Sequence, residues 1–274
     1  MKKIKFIVCW FGEWPVWFPG FLLSCMYNKD IEWLFFTDCK IPANHPDNVM
    51  FKKCNMNYIS TLASEKLNHP VKFERAYKLC DLRPAYGVVF EDYIRGYDFW
   101  GFCDLDVVFG DIKKFITDDI LNNNEIITSR KHVIAGHFTL LKNTPKINTI
   151  YKNIKTFMWK LNRPKSHVLD EWWGGDSRDE SYLKQNAHLY KISWDKWLLN
   201  FPDKYVDDYK QGNPSLINNC GPWYWNKGKI FKDNEEIMYL HFKKWKGTIS
   251  SIDFSYEDKV DSFLIGRKFF KKHS

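Results

Sequence analysis

The chain contains 274 residues, of which 45% are hydrophobic and 27% are charged. This composition excludes a disordered chain and supplies a sizeable core, in one large α/β domain or two small ones. Lysine and arginine number 41 against 33 aspartates and glutamates, a formal net charge of +8, which favours an anionic partner such as nucleic acid, a nucleotide or an acidic membrane surface. The aromatic share is 18%, which favours a use of flat, amphipathic rings beyond core packing.

The seven cysteines are scattered along the chain, and no two of them form a CxxC pair. We therefore expect reduced, core-packed thiols in a cytoplasmic protein rather than a zinc site or a disulfide framework. The amino-terminal apolar run, Ile4–Trp10, is interrupted by Lys5 and is too short for a signal peptide. No window approaches twenty apolar residues, so no membrane-spanning segment is expected.

Segments of strand length alternate with segments of helix length over roughly the first half of the chain. In chain order the predicted elements are a strand at Ile4–Trp10, a helix at Val16–Tyr27, strands at Glu32–Asp38 and Val49–Lys53, helices at Glu74–Cys80 and Pro84–Arg95, a strand at Tyr97–Cys103, a helix at Asp111–Leu121, strands at Glu125–Ser129 and His137–Lys142, and a helix at Thr144–Lys160. This alternation predicts an α/β fold with a central, mostly parallel sheet and crossover helices.

The rest of the chain is less regular. From Arg163 to Asn226 it is rich in Trp, Asp, Asn, Gly and Pro, which predicts long functional loops with short helices at best. A late strand is predicted at Ile237–Phe242. The tail Phe263–His273 mixes basic and aromatic residues, so it is interpreted either as a surface lying on an anionic membrane leaflet or as a solvated helix end that docks its phenylalanines on the body.

The sharpest local feature is the pair of carboxylates Asp104 and Asp106, which directly follows an apolar strand. The carboxyl edge of a parallel sheet is where open α/β folds bind ligands, and carboxylate oxygens suit Mg²⁺ or Mn²⁺. Alternate residues of a strand point to opposite faces, so both side chains reach one ion only if the backbone turns here. The stretch Val107–Gly110 is the predicted turn. The alternative is an exposed acidic loop without function.

A second feature lies at His241, inside the late apolar strand and just before a basic turn. A neutral imidazole completes a divalent coordination sphere, and Lys244 and Lys246 beside Gly247 are typical of a flexible clamp for a diphosphate. The alternative is a core histidine followed by a solvated basic turn.

Together these residues resemble the bacterial glycosyltransferases of the GT-A fold that build lipopolysaccharide, capsule or exopolysaccharide, and in particular a largely uncharacterised family of polysaccharide-biosynthesis transferases. The similarity is carried by Arg75–Gly87, by Gly96–Asp106 with its DxD motif, and by Leu240–Phe242. It implies a single GT-A-like (Rossmann-like) domain over residues 1–274. Residues 1–130 would bind the nucleotide sugar, residues 131–250 would hold the irregular, Trp-rich acceptor region and the late metal-ligand strand, and residues 251–274 would form the tail.

The resemblance also implies roles for individual residues. Contacts to the base, ribose, phosphate or donor sugar are implied for Cys9, Trp10, Phe11, Gly12, Asp38, Lys78, Asp81 and Asp104. The metal ligands implied are Asp104, Asp106 and His241, for Mn²⁺ or Mg²⁺. Arg83 stands two residues after Asp81 instead of three, which departs from the family pattern and puts its role in doubt.

The reaction implied is transfer of a sugar from a nucleotide diphosphate sugar, with a UDP-hexose the expected donor, to a saccharide or lipid-linked acceptor. An inverting enzyme also needs a carboxylate base, for which Asp170 with Glu171 is preferred and Asp179 with Glu180 is the alternative, the latter pair also suiting a helix cap. Contacts to the acceptor or sugar are expected for His137, Trp172, Trp173, Trp223 and Trp225, with ordinary packing as the alternative for each.

Two other functions stay open at this point. A nucleotidyltransferase usually carries a glycine-rich phosphate loop, and Gly12–Pro15 is not one. A non-catalytic module that binds glycan or nucleic acid leaves Asp104, Asp106 and His241 without a joint purpose. We therefore expect a cytoplasmic enzyme, peripheral at the inner face of the membrane if the tail binds it, with no nucleic-acid partner.

Overall fold

A computed structural model describes residues 1–129, 133–172, 182–193, 222–232, 235–243, 246–258 and 260–273. Over these ranges, seven strands form the central sheet in the order β3–β2–β1–β4–β7–β6–β8. Their bounds are β1 Ile4–Trp10, β2 Ile31–Thr37, β3 Val49–Lys53, β4 Phe99–Cys103, β6 Ile126–Thr128, β7 Phe138–Lys142 and β8 Ile192–Ser193. Strand β7 runs antiparallel to β4 and β6, and the other neighbours are parallel. The predicted α/β class with a mostly parallel sheet is confirmed.

The helices are shorter than the sequence predicts. Their bounds are α1 Phe18–Met26, α2 Met56–Leu67, α3 Tyr86–Val89, α4 Ile112–Phe115, α5 Asp118–Asn123, α6 Pro145–Asn148, α7 Phe157–Leu161, α8 Leu169–Trp172 and α9 Tyr182–Asn186, with 3-10 helices at Ala76–Ala85, Ile150–Asn153, Ala187–Leu189, Lys246–Thr248 and Tyr256–Asp258. Helix α2 has no counterpart among the predicted elements. Thr117 caps α5 by accepting a hydrogen bond from Ile120 N, so the predicted helix Asp111–Leu121 divides in two. No helix in the described ranges is long and apolar enough to cross a membrane.

Both faces of the central sheet are covered because the side chains of its strands alternate. On β1, Ile7 belongs to the hydrophobic cluster shared with α2, α3 and the Ala76–Ala85 helix. Its neighbours Phe6 and Val8 belong to the opposite cluster, shared with α1. Alternation of this kind buries a parallel sheet on both faces and leaves its carboxyl edge as the open side. Strands β1, β2 and β4 all end at that edge.

Beyond the central sheet, the described part of the chain forms a six-stranded sheet in the order β11–β10–β9–β14–β15–β13. Its strands are β9 Trp223–Asn226, β10 Lys229–Lys232, β11 Glu235–Ile237, β13 Ser251–Ile252, β14 Ser262–Ile265 and β15 Phe269–Lys272. The predicted late strand divides at Met238, whose carbonyl accepts a 2.7 Å hydrogen bond from Gly110 N. Its second half, β12 (Tyr239–His241), pairs instead with β5 (Val107–Phe109). The predicted turn at Val107–Gly110 is thus largely a strand.

The basic tail is part of the second sheet, which corrects its interpretation as a helix end. Phe263 and Phe270 are buried and pack with their rings 5.8 Å apart. These phenylalanines are therefore unavailable to a bilayer, because the second core encloses them. Lys271, Lys272 and Phe269, which is 37% exposed, remain on the surface, so contact of the tail with an anionic membrane stays a prediction.

Trp223 and Trp225 belong to the same core, so their predicted role as stacking platforms for sugar is wrong. Trp225 is fully buried, stacks on Phe263 and donates a 2.9 Å hydrogen bond from Nε1 to the carbonyl of Phe109. Trp223 is 1% exposed. Neither ring offers a face to a ligand. The tryptophan–carbonyl bond instead ties β9 to β5, next to the DxD motif.

We expect Trp225→Phe to lower the free energy of unfolding by about 1–3 kcal/mol, because the buried carbonyl of Phe109 then has no donor. Urea denaturation measures this difference. The matched control is Trp159→Phe, since Trp159 is 55% exposed; its change should stay within about 0.5 kcal/mol. Equal effects of the two substitutions would contradict the structural role of Trp225.

Candidate active site

The backbone turns at the DxD motif, so its two carboxylates reach a common site. Leu105 between them is 1% exposed and anchors the turn, because its carbonyl accepts a 2.8 Å hydrogen bond from Trp17 Nε1. Asp104 N donates to the carbonyl of His137, and the carbonyl of Asp106 accepts from Phe242 N at 3.0 Å. The motif is therefore held from three directions at the carboxyl end of β4.

His241 joins the two aspartates because β12 pairs with β5, with His241 opposite Val107. One ligand atom from each of Asp104, Asp106 and His241 lies within 4.8 Å of the others, and His241 Nε2 is 3.6 Å from Asp106 Oδ1. Asp104 is partly exposed, whereas Asp106 and His241 are buried. The predicted metal ligands are thus brought together from positions 137 residues apart in the chain.

A lysine completes the surroundings of Asp106. Lys246 Nζ lies 2.8 Å from Asp106 Oδ2, and about half of the lysine side chain is exposed. Burial disfavours the charged carboxylate, but the nearby imidazole of His241 and the charge of Lys246 outweigh it and hold the pKa of Asp106 well below its ordinary value. Asp106 is therefore ionised at neutral pH, as a metal ligand must be.

Arg83, whose role the sequence left in doubt, pairs with two carboxylates of the site, those of Asp104 and Asp170. Its guanidinium contacts Asp104 Oδ1 at 2.7 Å, Asp170 Oδ2 at 2.8 Å and the carbonyl of Gly136 at 2.7 Å. A glycine is needed at position 136 because a Cβ atom there would lie 2.6 Å from Asp170 Oδ2. The sequence signal was the family-like block around Arg83, and only the one-residue offset of its spacing obscured it.

Asp170 lies at the start of α8, next to Glu171. Two influences act on its pKa in opposite directions. Burial raises the pKa of Asp170 from 3.8 to about 7, although the nearby positive charge of Arg83 acts in the lowering direction. A carboxyl group with a pKa near 7 exchanges protons readily at physiological pH, which is what a general acid or base requires. The preferred base of the two predicted pairs is thus inside the cluster, while Asp179 and Glu180 lie outside the described residues.

The pH dependence of stability tests this environment. Because the pKa of Asp170 is raised in the folded state, the folded protein binds more protons than the unfolded chain between about pH 4 and 7. The stabilising contribution of Asp170 to the free energy of unfolding is fully present below pH 4, and it is lost as the pH rises through 7. We expect the stability of the wild type relative to Asp170→Asn to fall by up to about 4 kcal/mol across this window. Urea denaturation at several pH values measures it, and a flat difference, like that expected for the exposed Asp30→Asn, would contradict it.

Lys78 and Asp81 were expected to contact the nucleotide sugar, and the structure corrects this. They form a buried ion pair of 2.8 Å, with 4% and 0% of their side chains exposed. Lys78 Nζ also donates to the carbonyls of Lys160 and Lys165, and Asp81 accepts from His167 N and Leu169 N. Their hydrogen-bonding capacity is used on the backbone that leads into α8, so this pair positions Asp170 instead of binding a ligand.

His137 is also placed differently from its predicted contact with the acceptor. Its ring is 1% exposed and stacks on His241, with ring centroids 4.1 Å apart and an interplanar angle of 17°. Its Nε2 lies 3.0 Å from the hydroxyl of Tyr239 and 3.3 Å from Ser129 Oγ. The enclosed ring supports His241 from behind, so it presents no face to a sugar.

The predicted nucleotide loop lies at the ends of β1 and β2. Gly12 has φ +106, a conformation that favours glycine, and its N–H donates a 2.7 Å hydrogen bond to Asp38 Oδ1. Lys53 Nζ donates to the carbonyl of Cys39 at 2.9 Å and holds the same turn. Cys9 and Trp10 are half-buried below it, as is Phe11.

Trp173 and Lys244 lie outside the described residues, as does the side chain of Trp172.

The residues of the site fit a divalent cation. Two carboxylates and one imidazole are a donor set that Mn²⁺ accepts, and Mg²⁺ accepts the carboxylates. The spread of the ligand atoms, within 4.8 Å, is close to twice a metal–ligand bond of about 2.1 Å. The ammonium of Lys246 already contacts Asp106, which shows that this carboxylate attracts a cation.

Solved structures of three glycosyltransferases are similar to the chain. The galactosyltransferase LgtC, in complex with donor and acceptor sugar analogues, aligns over 88% of this chain and 86% of that chain, with a TM-score of 0.44 and 10% identity. Apo mouse xyloside xylosyltransferase 1 aligns over 88% and 97%, with a TM-score of 0.44 and 9% identity. Apo GlyE from Streptococcus pneumoniae TIGR4 aligns over 88% and 54%, with a TM-score of 0.41 and 9% identity. Because these TM-scores lie below 0.5, we base the function on the residues of this chain.

At the level of sequence, one family model matches nearly the whole chain. No curated protein matches it. One family model does, and it covers residues 6–273, from β1 to the end of the second sheet. The DxD motif, His241 and both sheets lie inside this match. The chain therefore belongs to the family of unknown function DUF6625.

Proposed function

We propose that this protein is a metal-dependent glycosyltransferase of the GT-A type, which moves a sugar from a nucleotide diphosphate sugar to an acceptor hydroxyl. The observation that carries the proposal is the convergence of Asp104, Asp106 and His241 at the carboxyl edge of the parallel sheet. This edge is where α/β folds bind nucleotides. The loop of Gly12 and Asp38 lies at the ends of neighbouring strands, where it supports binding of the base and ribose.

The leaving diphosphate gains negative charge as the glycosidic bond breaks, and the site is arranged to receive it. Asp104, Asp106 and His241 would hold Mn²⁺ or Mg²⁺, which neutralises phosphate oxygens when bound. The exposed part of Lys246 and the exposed side chain of Lys243 supply further positive charge beside the same edge. Lys246 Nζ lies 2.8 Å from Asp106 Oδ2, so it would reach a diphosphate that is held beside Asp106.

The second half of the reaction takes a proton from the acceptor. With inversion at the anomeric carbon, a carboxylate performs this step. Asp170 is the base we propose, because its pKa is raised to about 7 and Arg83 fixes its side chain beside Asp104. Glu171 follows it in α8 and is the second carboxylate of this pair. Arg83 also separates the charges of Asp104 and Asp170, so both remain at the site.

The finer assignment extends the same proposal. The donor is a UDP-hexose, and the acceptor is a saccharide or a lipid-linked saccharide of bacterial surface polysaccharide, either lipopolysaccharide, capsule or exopolysaccharide. The exposed lysines of β15, with the net charge of +8, support transient contact with an anionic membrane from the cytoplasmic side.

A thermal-shift experiment with UDP, GDP and CMP, each with and without Mn²⁺, tests the proposal. We expect stabilisation that requires both a nucleoside diphosphate and the metal, because Asp104, Asp106 and His241 would hold the metal and Lys246 would add positive charge for the diphosphate. CMP lacks the second phosphate and is the matched control. If RNA stabilises the protein and none of the nucleotides does, the proposal is overturned in favour of a nucleic-acid-binding module. A hydrolysis assay across nucleotide sugars with Mn²⁺ then identifies the donor. A parallel assay with added pyrophosphate tests the alternative, because a nucleotidyltransferase would convert the nucleotide sugar and pyrophosphate into a nucleoside triphosphate and a sugar 1-phosphate.

A further inference from the structure

The 3-10 helix Ala76–Ala85 connects the site to the protein surface. In a 3-10 helix, side chains three residues apart eclipse each other and form straight ridges. The ridge of Lys78, Asp81 and Pro84 is buried. A second ridge, Leu79, Leu82 and Ala85, belongs to the hydrophobic core. The third ridge consists of Tyr77, Cys80 and Arg83.

Exposure increases steadily along the third ridge. Arg83 is 9% exposed and holds the carboxylates of Asp104 and Asp170. Cys80 is half-buried, and Tyr77 at the outer end is 68% exposed. At a rise of about 2 Å per residue, Tyr77 lies about 12 Å from Arg83 along the helix axis. Partial burial, Cys80 and the carboxylate of Asp170 all raise the pKa of Tyr77, so its ring belongs to the electrostatic surroundings of the site.

A second exposed aromatic ring lies on α7, which packs against the 3-10 helix. Lys78 Nζ donates to the carbonyl of Lys160 at 2.7 Å, so the segments that carry Tyr77 and Trp159 are in contact. Trp159 is 55% exposed, and the guanidinium of Arg163 lies 4.5 Å from the centre of its ring. These two adjoining helices thus present two aromatic rings and a cation to solvent.

We propose that Tyr77, together with Trp159 on the adjoining helix α7, is a stacking position for sugar rings of the acceptor, and that the acceptor is therefore a saccharide of at least two units. The inference rests on the proposed function. Pyranose faces are apolar and stack on flat aromatic rings, whose hydroxyl or N–H then bonds to the rim of the sugar. A sugar at the Arg83 end of the ridge is close to the reacting centre, and about 12 Å of ridge is the length of a short oligosaccharide.

The position also accounts for a discrepancy between composition and structure. The excess of aromatic residues favoured a ligand that stacks on rings, yet Trp223 and Trp225 are buried in the second core. Tyr77, at the outer end of the ridge that starts at Arg83, and Trp159, on the adjoining helix, are rings that remain open to solvent. A monosaccharide held at Arg83 does not reach Tyr77, so the stacking position adds affinity only to longer acceptors.

The test uses an array of defined, immobilised mono-, di- and trisaccharides, probed with the whole protein in Mn²⁺ and UDP. We expect binding of one or more di- or trisaccharides and not of their monosaccharide units. Tyr77→Ala should weaken this binding roughly 10-fold, as loss of a stacked ring does, whereas Tyr77→Phe should retain it within about 2-fold. Trp159→Ala should weaken it in the same direction. Leu189→Ala, which removes a 49% exposed apolar side chain elsewhere, is the matched control and should change nothing.

The outcomes separate this inference from the function on which it rests. Undiminished saccharide binding by Tyr77→Ala, equal binding of monosaccharides, or an array with no bound saccharide would each overturn the stacking position. Stabilisation by Mn²⁺ and UDP, measured on the same samples, would then still support the transferase. If Mn²⁺ and UDP do not stabilise the wild type, both the transferase function and the stacking position are overturned. Thermal unfolding of Tyr77→Ala checks its fold, and because Tyr77 is exposed we expect no change.

Discussion

Replacing Asp106 by asparagine is expected to abolish the joint stabilisation of the protein by Mn²⁺ and UDP. Asp106 is 3% exposed and lies between His241 Nε2, at 3.6 Å, and Lys246 Nζ, at 2.8 Å. An amide has the same shape but brings no negative charge, so the site loses the charge that a divalent cation requires. Since loss of an outer-shell partner already costs 10–100-fold in metal affinity, we expect a loss of about 100-fold or more.

Thermal shift and isothermal titration with Mn²⁺ measure this loss. The matched control is the exposed Asp30→Asn, which should titrate like the wild type. An Asp106→Asn protein that still binds Mn²⁺ with wild-type affinity would rule out Asp106 as a ligand. Without metal, we expect Asp106→Asn to have a smaller effect, on the pH dependence of stability. Because the pKa of Asp106 is lowered on folding, its stabilising contribution is present above about pH 4 and is lost as the pH falls through the folded value.

Replacing Arg83 by methionine is expected to cause a large loss of stability. The guanidinium pairs with Asp104 and Asp170 and binds the carbonyl of Gly136, and only about a tenth of its side chain is exposed. Methionine fills similar space but leaves Asp104 without its counter-charge and Asp170 without the guanidinium that lowers its pKa, so Asp170 must take up a proton at pH 7. Breaking a buried ion pair in this way costs about 3–5 kcal/mol. Urea denaturation at pH 7 measures the free energy of unfolding.

Two comparisons isolate the cause. Arg95→Met removes an exposed guanidinium that pairs with Asp92 and should have no measurable effect on stability. The double variant Arg83→Met with Asp170→Asn should recover part of the loss, because an amide at position 170 needs no counter-charge and takes up no proton. If the double variant is as unstable as the sum of the single variants, the contact between Arg83 and Asp170 is not the cause.

The fold class and the metal-ligand group were predictable because they depend on short-range patterns. Apolar, β-branched runs predict buried parallel strands, and such strands expose their carboxyl ends on one edge. Asp104 and Asp106 follow β4 directly, so their place at this edge needs no long-range information. His241 required more, since its approach to Asp106 depends on the pairing of β12 with β5. Its apolar strand and the resemblance around it supplied that link.

The divided helices and the second sheet were not predictable at the same level. Asp111–Leu121 reads as one helix because its composition is helix-compatible throughout, and the break at Thr117 depends on a cap that forms in the folded chain. The second sheet pairs β9 with β14, which lie about 40 residues apart. Strand pairing of this range depends on packing of the whole chain rather than on local propensity.

The aromatic excess and the net charge of +8 favoured a flat or anionic partner, but did not indicate which side chains contact it. Lys78 and Arg83 lie on one helix, yet Lys78 is buried on backbone carbonyls and Arg83 holds the carboxylates of the site. Trp225 and Trp159 are the same residue type, yet one is core and the other faces solvent. Sequence alone determined the kinds of residue and their order along the strands. Tertiary structure decided which of them reach the site, because burial and partners depend on neighbours far away in the chain.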